Sequence, residues 1–118
     1  MAEKLKVGVF GVGSLGQWHA RIYSELPTAH LVGVHDANPD RAREIAERYH
    51  TRAFASMDAL AAEIEAASVV VPTDKHFEVF SALAERGLHM LVEKPISSTT
   101  DQAEKMVAAA KAGNLILQ

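Results

Sequence analysis

Three glycines constrain this chain first. The apolar run Leu5 to Phe10 meets Gly11, Gly13 and Gly16. Apolar positions at Leu15, Trp18, His19, Ile22 and Leu26 then recur at spacings of three and four until Pro27. A buried strand, a glycine-rich turn and an amphipathic helix make the opening of a βαβ unit. Gly11 suits the tight turn, Gly13 leaves room for an anion against the backbone, and Gly16 lets the helix pack on the strand. The exposed N–H groups and dipole of the helix start favour a phosphate there. Gly11-Val12-Gly13-Ser14-Leu15-Gly16 therefore reads as a pyrophosphate cradle. The plain alternative is a glycine-rich turn that binds nothing.

The rest of the chain repeats the alternation. Leu31 to Val34 is a second apolar run, ending at Asp36. Asn38-Pro39 reads as an N-cap followed by proline in the first turn. The stripe Ala42, Ile45, Ala46 and Tyr49 marks the next helix. Arg52 to Phe54 reads as a short third strand and Asp58 to Ile64 as a short helix. Ala67 to Val71 is a β-branched run ended by Pro72. Lys75 to Arg86 is helical, with Phe80, Leu83 and Ala84 inward and Gly87 just past its end. Leu88 to Val92 is another strand. Ser98 with Asp101 resembles a capping box. Ala103, Met106, Val107 and Ala110 form the last inward stripe, closed by Gly113, and Leu115 to Leu117 is a sixth strand. Continuous apolar strands alternating with helices imply a parallel sheet covered on both faces. The expected fold is α/β, a doubly wound parallel sheet of six strands in the order 3-2-1-4-5-6, known as the Rossmann fold.

Composition narrows the function. At 118 residues the chain has room for one core, so residues 1–118 read as one dinucleotide-binding domain. Twelve Lys+Arg against fifteen Asp+Glu give a net charge of -3, and no basic stripe suggests nucleic acid. The absence of cysteine excludes disulfides, thiolate metal sites and a thiol nucleophile. No apolar run approaches the ~18 residues of a membrane span, and the start does not read as a secretory signal. A reducing, cytoplasmic setting fits. His30, His35, His50 and His89 lack metal-ligand spacing, so no metal is expected. His19 and Trp18 read as packing residues.

Asp36 lies 20 residues after Gly16, where a carboxylate can accept from both adenosine ribose hydroxyls and repel a 2′-phosphate. NAD is therefore expected over NADP, although Arg41 and Arg43 lie close enough in sequence to leave NADP open. The competing reading is an Asp that caps the turn before Asn38-Pro39. Pro72 and Thr73 follow the fourth strand, at the edge where such sheets bind ligands. Thr73 either caps the next helix or reaches the cofactor. His76, in that helix's first turn, either lines the crevice or packs. Glu93-Lys94-Pro95 falls on the same edge after the fifth strand. The Lys94 ammonium can stabilise a substrate oxygen or donate a proton during hydride transfer. Pro95 biases Lys94 toward extended backbone and allows a cis bond. A surface ion pair in a loop is the competing reading for Glu93 and Lys94.

The segments KVGVFGVGSLGQWHA, VGVHDANPDRA, VVVPTDKHFEV and GLHMLVEKPISST together resemble the N-terminal domain of the Gfo/Idh/MocA (glucose–fructose oxidoreductase / inositol dehydrogenase) family. The resemblance implies that Glu93-Lys94-Pro95 is the family's signature loop, with Lys94 near both nicotinamide and substrate as the catalytic residue. It also implies that Thr73 and His76 belong to a cofactor-facing loop. Family enzymes carry a second domain, built on a large mostly antiparallel sheet. It supplies most of the substrate pocket, a catalytic histidine and the oligomer interface of a homo-oligomer. That domain is not expected within residues 1–118, and the chain alone is expected to be inactive or nearly so. The implied parent reaction moves a hydride between nicotinamide and a sugar, cyclitol or related polyol. The alternative is a standalone, non-enzymatic dinucleotide-binding or redox-sensing module. Other dehydrogenase families share the glycine motif, but their later motifs match less well.

Overall fold

The structure, a computed structural model, describes residues 3–118. Strand β1 (Leu5–Phe10) pairs in parallel with β2 (Ala29–His35) on one side and β4 (Ala66–Val69) on the other. The short β3 (Arg52–Ala53) joins β2, and β5 (His89–Val92) joins β4, giving the order β3-β2-β1-β4-β5. The connection from β3 to β4 reverses the direction in which strands are added. It opens a crevice beyond the carboxyl ends of β1 and β4, where ligands bind in such sheets.

Helices α1 (Gly16–Glu25) and α2 (Pro39–Arg48) cover one face with Ala20, Ala42, Ile45 and Ala46, packed on Val7, Val9, Leu31 and Val34. Helices α3 (Met57–Ala61), α4 (His76–Glu85) and α5 (Thr100–Ala112) cover the other, with Leu60, Phe80, Leu83 and Met106 around Phe10, Val69 and Met90. The strands are buried on both faces because the helices divide between them. Asn38 caps α2 as expected, its side chain accepting from the N–H groups of Asp40 and Arg41, and Pro39 opens the helix. Gly87, at φ 75°, follows α4.

Four expectations differ from the structure. The sixth strand is reduced to one parallel bridge between Met90 and Leu117. After the turn that follows α5, with Asn114 at φ 56°, Ile116 to Gln118 lie beside β5 and exchange backbone hydrogen bonds with Met90 and Val92. A ladder needs successive bridges, and these residues supply one. Of the α1 stripe only His19 turns inward: Leu15, Trp18, Ile22 and Leu26 are 41 to 56% exposed. The helix turns Gly16 and Ala20 to the sheet instead. A Cβ on Gly16 would lie 1.7 Å from the Gly11 carbonyl oxygen, so the helix approaches too closely for large side chains on that side. Helix α5 is capped by Thr99, accepting from the Gln102 N–H, rather than by Ser98. Its Val107 is 45% exposed, because Met106 and Ala110 already fill the face that meets the core.

Candidate functional site

A cleft of about 450 Å³ occupies the crevice. Gly11, Gly13, Ser14, Leu15, Asp36, Pro72, Thr73, His76, Glu93 and Lys94 all line it, with Ala37, Val70 and Val71. Four separated loops thus meet at one sheet edge. Of the residues singled out in the sequence, Gly16 and Pro95 do not line the cleft: Gly16 is buried under the turn, and Pro95 lies exposed just beyond Lys94.

Gly11, at φ 93°, takes a conformation that L side chains rarely adopt, and a Cβ there would meet the Val70 and Val71 backbone at 2.7 Å. Its N–H is used by His35 O at 2.8 Å. The N–H of Val12 donates to Asp36 Oδ2 at 2.8 Å. Beyond it, the N–H groups of Gly13, Ser14 and Leu15 have no protein acceptor among the described residues. All three residues are exposed, α1 has no side-chain cap or acidic residue in its first turn, and a Cβ on Gly13 would meet nothing within 4 Å. Open donors at a helix start, with space before them, have the geometry that suits an anion.

Asp36 makes the turn-capping bond of one sequence reading and lines the cleft that the other requires. Oδ1 accepts from the Asn38 N–H at 2.9 Å, the turn-capping bond, while Oδ2 holds the glycine turn and the half-buried carboxylate still faces the cleft. Each carboxylate oxygen can accept more than one hydrogen bond. Arg41 crosses to the same turn, its Nε donating to Val12 O at 2.7 Å and Nη2 to Gly13 O at 3.4 Å, while Nη1 pairs with Glu44 at 3.2 Å.

Thr73 opens a 3-10 turn, Thr73–Lys75, that leads into α4, and its side chain makes no capping bond there. The capping reading of Thr73 is therefore not what the fold uses. His76 is 2% exposed. Its Nδ1 lies 3.0 Å from Pro95 O and 3.2 Å from Ile96 O, and Nε2 lies 2.8 Å from Val71 O. All these partners are carbonyl acceptors, so the ring ties the loop after β5 to the loop after β4. The Lys94–Pro95 peptide bond is cis.

Glu93 is not a surface ion-pair partner in a free loop. Its Oε2 lies 2.9 Å from His19 Nε2, and that hydrogen bond holds the carboxyl below the usual carboxylate range. Partial burial opposes the shift, and the Lys94 N–H, 3.4 Å from Oε1, adds to it. Lys94 is exposed and forms no ion pair among the described residues.

Sequence reasoning placed His19 among packing residues and passed over Ser68 and Tyr23. The structure gives His19 hydrogen-bond partners on both ring nitrogens, Ser68 Oγ at 2.9 Å and Glu93, and Tyr23 Oη lies 2.7 Å from the same serine. Two signals were available. His19 and Tyr23 are four residues apart on one helix, and Ser68 interrupts an apolar strand. Arg41 was noted only for its position in sequence.

Comparison with known proteins agrees with this geometry. The family model described as "Oxidoreductase family, NAD-binding Rossmann fold" matches residues 5–118. A UDP-N-acetylglucosamine 3-dehydrogenase of Acidithiobacillus ferrooxidans is 42% identical over 113 residues, covering 96% of this chain and 36% of that enzyme. Its solved structure superposes with a TM-score of 0.92 at 39% identity, over 99% of this chain and 38% of that one. An inositol 2-dehydrogenase of Rhizobium meliloti is 34% identical, covering 92% of this chain and 34% of the enzyme. GenD2 from gentamicin A biosynthesis, solved in complex with NAD, gives a TM-score of 0.94 at 28% identity, over 99% of this chain and 34% of that protein. The chain thus spans 30 to 36% of the length of these and similar curated relatives. By its matched length, its sheet order and its cleft, this chain belongs to the Gfo/Idh/MocA oxidoreductase family and forms its NAD-binding Rossmann domain.

Proposed function

We propose that this chain is the cofactor domain of a dehydrogenase that moves a hydride between C4 of nicotinamide and a carbinol carbon of a sugar, cyclitol or related polyol. One observation carries the reading: the open N–H groups of Gly13, Ser14 and Leu15 share a continuous cleft with Asp36 at one end and Glu93 and Lys94 at the other. The substrate class is supported by relatives named as UDP-N-acetylglucosamine and inositol dehydrogenases.

The donor set fits a dinucleotide. The open N–H groups hold the pyrophosphate, aided by the α1 dipole. Asp36, already fixed by Val12 and Asn38, accepts from the adenosine ribose hydroxyls. Its charge repels a 2′-phosphate. Arg41 is committed to the Val12 and Gly13 carbonyls and to Glu44, and does not neutralise that repulsion. This favours NAD over NADP. Pro72, Thr73 and His76 wall the nicotinamide end. Pro95 directs Lys94, whose ammonium lies beside a substrate oxygen, stabilising charge there and exchanging the proton that accompanies hydride transfer. The bound dinucleotide supplies the hydride chemistry itself. A reducing cytoplasm suits a chain without cysteine.

Titration of the chain with NADH and NADPH, read by fluorescence or calorimetry, tests the reading. NADH is expected to bind more tightly, and Asp36→Ala should lower NADH affinity about tenfold while narrowing the gap to NADPH. An unaltered preference in that variant would remove Asp36 from the ribose site. Failure of both nucleotides to bind would end the dinucleotide reading.

A further inference from the structure

Behind the nicotinamide end of the cleft lie three polar side chains, Ser68, Tyr23 and His19, that are not part of its lining. Ser68 sits on β4 in the middle of the sheet and is 0% exposed. A hydroxyl buried so deeply must be hydrogen-bonded or it destabilises the fold. It has two partners, Tyr23 Oη at 2.7 Å and His19 Nδ1 at 2.9 Å. The far side of the same imidazole reaches Glu93 Oε2 at 2.9 Å, and the other oxygen of Glu93 faces the Lys94 N–H at 3.4 Å.

The direction of these bonds follows from the inventory of donors. An ionised carboxylate only accepts, so His19 Nε2 carries a hydrogen. In a neutral ring Nδ1 then accepts, which makes Ser68 its donor and Tyr23 the donor to Ser68. With a neutral ring, every hydrogen bond in the series points toward Glu93. A second partner on the ring fixes which nitrogen carries the hydrogen, as second-site hydrogen bonds do for histidines generally. The series ties α1, β4 and the turn after β5 together. It shares no bond with Asp36, Asn38 or Arg41 at the adenosine end.

We propose that His19 is a positioning residue for the Glu93-Lys94 turn. Oriented by Ser68 and Tyr23, it holds Glu93 so that the turn presents Lys94 to the nicotinamide half of a bound dinucleotide. The inference rests on the dinucleotide reading above. Lys94 is exposed and without an ion-pair partner among the described residues, so little but its backbone aims it. That backbone is anchored on one side by Glu93 and on the other by His76, which binds the Pro95 carbonyl at 3.0 Å. Loss of the first anchor loosens one end of the cleft and leaves the other intact.

Two probes separate the ends: NADH, and ADP-ribose, which lacks nicotinamide. In calorimetric titrations of the chain, His19→Ala should weaken NADH about tenfold and leave ADP-ribose within about twofold. His19→Gln, whose amide N–H still reaches toward the carboxylate, should recover part of the loss. Tyr23→Phe should fall between His19→Ala and the unaltered chain. Nitrogen NMR of the labelled ring adds a readout independent of ligand: hydrogen on Nε2. Equal weakening of both ligands in these variants, no weakening of either, or hydrogen found on Nδ1 alone would overturn the positioning role. Failure of the unaltered chain to bind either probe overturns the dinucleotide reading itself, whereas intact binding with the wrong selectivity overturns only this inference.

Discussion

Asp36 and Glu93 are both carboxylates at the same sheet edge, yet their partners give them different work. Asp36 is held by two backbone N–H groups and faces open cleft. Glu93 is held by an imidazole, and that bond lowers its proton affinity. A carboxyl whose value falls on folding favours the folded state above its unfolded value, 4.5, and loses that contribution as pH drops through the lower folded value. Glu93→Gln removes the charge but keeps the shape. Its melting temperature should therefore lie below that of the unaltered chain at pH 7, and the gap should close as pH falls below 4.5. A gap that widens on acidification would contradict the His19–Glu93 bond.

Helix α1 depends on how close its first turn comes to the preceding strand. A methyl group on Gly16 would fall 1.7 Å from the Gly11 carbonyl oxygen, a backbone atom that cannot rotate aside. Gly16→Ala should destabilise by about 1–3 kcal/mol through overpacking, and should weaken nucleotide binding as well, because the turn that presents the open N–H groups must shift. Chemical denaturation and NADH titration measure the two effects. Helix α2 offers a contrast. Asn38 caps it through two backbone N–H groups, and Asn38→Ala should cost ~1 kcal/mol. The loss there would fall on stability more than on the pyrophosphate turn. The sequence made α2 legible because Asn38-Pro39 and the apolar positions agree with each other. In α1 the apolar spacing was equally clear and misleading. Leu15, Trp18, Ile22 and Leu26 repeat at helical period, but the side chosen for burial carries Gly16 and Ala20.

The two helices that share one face of the sheet are not buried alike. Leu15, Trp18, Ile22 and Leu26 leave an apolar stripe on α1, while Ile45 on α2 is 0% exposed within its cluster. Ile22→Lys should change stability by no more than about 0.5 kcal/mol. Ile45→Ala should cost about 2–5 kcal/mol, because it removes buried methyl groups and leaves a cavity. A large loss at Ile22 in urea denaturation would mean that the stripe is covered in solution. No helix among the described residues is long and apolar enough to cross a membrane.

Local chemistry determined much of this protein. The glycine turn, the strand–helix alternation and the Asn38-Pro39 helix start follow from residue types at short range, where backbone sterics and hydrophobic period act, whereas a shared place for Thr73, His76, Glu93 and Lys94 was implied only by the family resemblance. The order β3-β2-β1-β4-β5 agrees with the doubly wound order expected for a glycine turn at the head of alternating strands and helices. Tertiary packing alone decided the rest. It chose which side of α1 meets the sheet. It also brought His19, Ser68 and Glu93, separated by 49 and 74 residues from His19, within hydrogen-bond distance. Contacts so far apart along the chain leave no periodic trace, because nothing short of the folded sheet fixes the distance between them.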